Sequence, residues 1–189
     1  MVEQKYTGTV NAALEHARPL AATLQVLLFA ALTAVGAQIE IPNTPVPFTL
    51  QTLFVLLSGA LLGPRAGAVS MLAYLGAGVL GLPVFSSFGF GIARLLGPTG
   101  GYLLAFPAAA FAVGYLAGER PTFTRLILSM SAALLIVFAC GTIQLRLTVL
   151  PDWSDAFSSG FLIFSWWDLV KLAGAASIAR AIRAARRPA

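Results

Sequence analysis

"SWWDLVKLAG", residues 165–174, places Asp168 and Lys171 inside an apolar block that runs over 161–183. On a soluble helix the two would mark a solvated face. The remainder of the chain argues otherwise. Of 189 residues, 58% are hydrophobic and 10% charged, whereas a soluble domain carries roughly 25% charged residues. Mean hydropathy is +0.86, and the apolar residues come in long blocks rather than short alternations. This is the composition of an integral membrane protein. The two charges therefore lie where a membrane helix should be greasy.

Glycine, proline and charge punctuate the blocks. They predict an all-α membrane protein, a bundle of six transmembrane helices over 20–41, 48–63, 66–80, 98–118, 122–148 and 161–183. The breaks are IPNTPVP (41–47), GPRAG (63–67), GLPVFSSFGFGIARLLGPTGG (81–101), GERP (118–121) and LPDWSDAFSSG (150–160). Residues 1–19 form an N-terminal segment, 20–183 a single membrane domain and 184–189 a basic tail. The second and third blocks are shorter than the ~20 residues a spanning helix needs, so merger or burial of the two is the alternative.

Six spans put Lys5, Arg18, Arg65, Arg120, Arg125, Arg180, Arg183, Arg186 and Arg187 on one side, and only Arg94 and Arg146 on the other, with Asp152 and Asp155. That bias places both termini in the cytoplasm, with the chain as a multi-pass protein of a cell membrane. It also accounts for the net charge of +5, without nucleic-acid binding. MVEQKYTGTVNAALEHARPL has no short apolar core, so no cleaved signal peptide is expected.

Several chemistries are missing. No GxxxxGK[ST] pattern occurs, so the chain cannot by itself cradle ATP phosphates. His16 is the sole histidine and Cys140 the sole cysteine. Neither a metal centre nor a Ser-His-Asp triad is expected within the bundle. An enzyme is not expected, nor is a cofactor. Gly76, Gly78 and Gly81 spell GxGxxG but follow no strand, so helix packing or a turn is the expectation. Gly59/Gly63 and Gly114/Gly118 have GxxxG spacing, which allows close helix approach.

Asp168 is expected ~10 Å and Lys171 ~15 Å below the outer end of the last helix. At i,i+3 they share a face. One reading is a structural pair that orients the bundle; the other is a polar pocket open to the outside, offering an acceptor and a cationic donor. Arg94 lies in the long glycine-flanked stretch 81–101, the kind of segment that forms lids and binding loops; interfacial contact with lipid phosphate is its alternative role. Gln51 is a neutral donor–acceptor near the start of the second helix, suited also to an interhelical hydrogen bond. Ala30, Ala34 and Ala37 form one small-residue face on the first helix, for a partner helix or for packing inside the bundle.

PVPFTLQTLFVLLSGALLGPRAG (45–67), LPVF (82–85), LLGPTGGY (95–102) and WDLVK (167–171), in this order and spacing, resemble the BioY family. These are biotin-specific S components of energy-coupling factor (ECF) transporters. The resemblance covers about residues 25–175. It implies a six-helix bundle that binds biotin from outside, a transmembrane coupling subunit and cytoplasmic ATPases as partners, and a bacterial or archaeal cell membrane. It carries the family's aspartate and lysine onto Asp168 and Lys171, and its loop arginine onto Arg94. It also implies that the Ala30–Ala34–Ala37 face packs on the coupling subunit. Trp166 and Trp167 stand where family members often have glycine or proline. Against biotin, Asp168 suits the ureido N–H groups and the cations its carboxylate or ureido oxygen. Gln51 is a further polar candidate, and Phe48 and Tyr74 would hold the ring. A self-sufficient ion-coupled secondary transporter of a small carboxylate-bearing solute is the rival reading.

Overall fold

The computed structural model describes residues 2–162 and 165–185. Among them are eight α-helices: α1 (Val2–Gln38), α2 (Gln51–Leu62), α3 (Pro64–Val79), α4 (Ile92–Leu96), α5 (Gly100–Ala117), α6 (Phe123–Thr148), α7 (Trp153–Gly160) and α8 (Ser165–Ala185). The chain is thus all-helical, apart from a small hairpin of β1 (Glu40–Ile41) and β2 (Phe48–Thr49). Six spanning helices were expected, and eight α-helices are described. The two additions, α4 and α7, form in stretches read as loops. Three helical segments are long and apolar enough to cross a membrane: Pro19–Gln38, Gly100–Ala117 and Phe123–Thr148. Helix α1 begins at Val2 rather than at residue 20. It stops at Gln38 rather than 41, because residues 40–41 pair with β2 and the Leu50 N–H takes the carbonyls of Gly36 and Ile39. Of the expected 184–189 tail, residues 186–189 lie outside the described residues.

Glycines decide how the two short helices fit. Gly63, at φ +85°, ends α2 and sends the chain back on itself. A Cβ on Gly67 would lie 2.9 Å from the Cα of Gly59, so α2 and α3 pack as an antiparallel pair rather than merging. A Cβ on Gly59 would sit 2.2 Å from the Ala110 carbonyl oxygen, and one on Gly114 2.3 Å from the Pro64 nitrogen. Of the two GxxxG pairs, then, the first glycine of each lets α2, α3 and α5 approach closely. The second of each, Gly63 and Gly118, is a left-handed helix terminator. Gly78 backs onto the Phe85 ring and Gly81 makes a turn at φ +101°, so GxGxxG is packing and turn.

Helices α2 and α5 occupy the middle: α2 packs on α1, α3, α5 and α8, and α5 on α2, α3 and α6. The core around them, shared with α6, includes the small aliphatic residues Val55, Ala60, Ala109, Ala110, Val113, Ala133 and Val137. The face turned outward is apolar, as in Leu24, Leu27, Leu104, Leu128 and Leu135. A surface of that kind suits lipid, not water. At one end of the bundle Arg183 donates to the carbonyls of Ala60, Gly118 and Glu119, which joins α8 to the ends of α2 and α5. The other end carries the hairpin, α4 and α7, and beneath them lies the site.

Candidate functional site

Lys171 Nζ lies 2.7 Å from Asp168 Oδ1, and both side chains are buried. Asp168 is only 1% exposed, although α8 starts at Ser165 and puts it in the first turn, shallower in the helix than expected. Its burial comes from the covering elements. The Thr52 hydroxyl, in the first turn of α2, donates to Asp168 Oδ1 at 2.7 Å. Lys171 Nζ donates to the Thr49 carbonyl at 2.8 Å. The positive end of the α2 dipole thus faces the carboxylate. Oδ2 of Asp168 is buried with no hydrogen-bond partner among the described residues. One oxygen holds two donors and the other holds none.

Asp168 lines a small cavity of about 60 Å³ that opens towards the capped end of the bundle. Asp168, Lys171, Thr49, Gln51 and Thr52 form one polar wall. Phe85, Phe106, Phe138, Leu103, Val46 and Val137 supply the apolar walls. Arg94, Thr99, Pro47 and Ser86 are shared with an outer, shallower concavity, so they stand at the mouth. The Arg94 guanidinium packs against Gly89, where a Cβ would come within 2.4 Å of Nε. A side chain there would require the guanidinium to shift.

Of the residues singled out in the sequence, Asp168, Lys171, Arg94 and Gln51 come together around one cavity. Tyr74 and Phe48 do not line it. Tyr74 lies behind Gln51 and accepts a hydrogen bond from its Nε2 at 2.6 Å, while its ring meets Phe85 edge-on, with centroids 5.5 Å apart. Phe48 is half-buried in β2, opposite Ile41. Ala37 is fully buried in this chain's own bundle, and Ala30 and Ala34 are half-buried against its core. Sequence reasoning passed over Thr49, Thr52, Phe85, Tyr102, Phe106 and Phe138. Thr49, Thr52, Phe85 and Tyr102 sit inside the motifs quoted above, which was the available signal. Trp166 and Trp167 continue the helix into Asp168 without a break.

The cap over the cavity is tied down by polar contacts. Glu40 accepts hydrogen bonds from the hydroxyls of Ser86 and Ser87, each at 2.6 Å. Gln38 donates to the Phe85 carbonyl and accepts from the Phe88 N–H. These bonds hold Ser87 and Phe88 at φ of 54° and 55°, a region non-glycine residues seldom adopt. Phe85 is thereby pressed over the site. On the far side the Tyr102 hydroxyl donates to the Gly160 carbonyl at 2.7 Å, and its ring lies on Gly141, so α5, α6 and α7 close that wall.

Comparison with known proteins agrees with this architecture. The sequence profile of the BioY family matches residues 9–188. "Biotin transporter BioY" of Thermotoga maritima is 46% identical over 152 residues, covering 80% of this chain and 89% of that protein. "Probable biotin transporter BioY" of Pyrococcus horikoshii is 45% identical over 158 residues, covering 84% and 93%. Among solved structures, the S-component for biotin from an ECF-type ABC transporter superposes with a TM-score of 0.80 at 25% identity, over 88% of this chain and 93% of that one.

Proposed function

The chain belongs to the BioY family, and from that premise we propose that it is the biotin-binding S component of an ECF-type transporter. The observation that carries the reading is the unpartnered Oδ2 of Asp168, a residue that lines the cavity beside the Lys171 cation. A buried carboxylate oxygen without a donor costs about 1–3 kcal/mol or more, and a ligand bearing N–H groups removes that cost. Biotin's ureido ring supplies two such groups. Its thiophane ring suits the walls of Phe85, Phe106 and Phe138. Its valerate then reaches the mouth, where Arg94 meets the carboxylate.

The chain crosses the membrane six times in this proposal, with α1, α2, α3, α5, α6 and α8 as the crossings. Both termini are cytoplasmic and the cavity is open to the outside of a bacterial or archaeal cell. Energy comes from a separate transmembrane coupling subunit and its ATPases. Ala30 and Ala34, being half-exposed, offer those partners a close helix contact that buried Ala37 cannot. The test is twofold. The purified chain alone binds one biotin tightly, and in proteoliposomes it accumulates biotin only when the coupling subunit and ATPases are added with ATP. Uptake by this chain alone, driven by an ion gradient, would establish the secondary transporter instead.

A further inference from the structure

Gln51 sits in a hydrogen-bond chain that runs in one direction. Its own backbone N–H points to Thr49 Oγ1 at 3.4 Å. The Thr49 hydroxyl donates to Gln51 Oε1 at 2.8 Å. Gln51 Nε2 donates to the Tyr74 oxygen at 2.6 Å, and the Tyr74 hydroxyl donates to the Val84 carbonyl at 3.2 Å. A backbone N–H can only donate and a backbone carbonyl can only accept. With such groups at its two ends, the chain has a fixed polarity. The Gln51 oxygen is committed to Thr49 and one amide hydrogen to Tyr74. The amide's second hydrogen has no acceptor among the described residues, and Gln51 lines the cavity.

We propose that Tyr74 is a positioning residue: through Gln51 it fixes that amide as a hydrogen-bond donor, never an acceptor, toward the ureido oxygen of the ligand. The proposal rests on the biotin reading above. Tyr74 does not touch the ligand. It sets the identity of the atom that does, and so selects for an acceptor at that position of the ring.

The experiment measures equilibrium affinities of the purified full chain for biotin and for 2-iminobiotin, whose cyclic guanidinium puts donors where biotin has its ureido oxygen. Tyr74→Phe keeps the ring that packs on Phe85 and Phe106 but frees the Gln51 amide to turn over. The expected result is a fall of about tenfold in biotin affinity, with 2-iminobiotin affinity held or raised. Thr49→Val releases the amide from its other end and is expected to shift the ratio in the same direction, which decides the matter should Tyr74→Phe not fold. If both affinities fall together, within about threefold of each other, Tyr74 serves packing alone and the proposal is overturned. A wild-type chain that binds no biotin would instead overturn the functional reading itself.

Discussion

Asp168 has its two donors, Thr52 and Lys171, on Oδ1, and an ion pair that existed only for structure would have no reason to leave Oδ2 empty. Replacing such a pair by apolar residues is commonly neutral or stabilising, which makes retention for stability alone a weak explanation. Asp168→Asn keeps the shape but sets an NH₂ group against one of the ligand's N–H donors or against Lys171. The expected loss is about 2–4 kcal/mol of biotin affinity, or roughly 30- to 1000-fold, read by titration calorimetry on the folded variant. An affinity within about threefold of wild type would remove Asp168 as a ligand contact. This residue was legible in the sequence because a charge inside an apolar block is conspicuous. Thr52 was not, since a threonine in a membrane helix has many partners available, including its own backbone.

Among the elements, α2 and α3 show how far local pattern carries. Their short lengths looked ambiguous, and the resolution lies in glycines whose spacing alone could not separate turn from close contact. Gly59 faces the Ala110 carbonyl with no room for a methyl, whereas Gly76 faces open space in the same helical pair. Gly59→Ala is therefore expected to destabilise the ligand-free protein by about 1–3 kcal/mol through overpacking. Gly76→Ala should hold or raise stability, by up to about 1 kcal/mol, because alanine favours the helix. Thermal unfolding of the two variants in detergent checks the pair, and equal melting temperatures would contradict the packing described. The hairpin and α4 were missed for a related reason. Strands of two residues and a helix of five leave no periodicity to detect, and they hold their shape through Glu40, Gln38 and Gln144.

For the whole molecule, the arrangement places the Phe88 turn and the Glu119 turn at opposite ends of the bundle. On the proposed topology, Phe88→Cys in a background lacking Cys140 is expected to react with an impermeant thiol reagent added outside intact cells, and Glu119→Cys is not. Both positions are exposed in the structure, so the reverse pattern would invert the topology. The sequence by itself determined the membrane class, the helical character, the sidedness bias and the identity of the cavity's charges. Those properties are sums over local residues, and hydropathy and charge do not depend on which helix neighbours which. The cavity is another kind of object. Thr52 and Asp168 are 116 positions apart, and Thr49 and Lys171 are 122 apart, so their meeting depends on α2 lying beside α8. That packing is held by contacts between distant residues, Arg183 of α8 on the Ala60 carbonyl of α2 at one end and Thr52 with Asp168 at the other. Only the tertiary structure could decide that Tyr74 stands behind Gln51 rather than in the cavity lining, because the difference lies in the contacts of residues 23 positions apart.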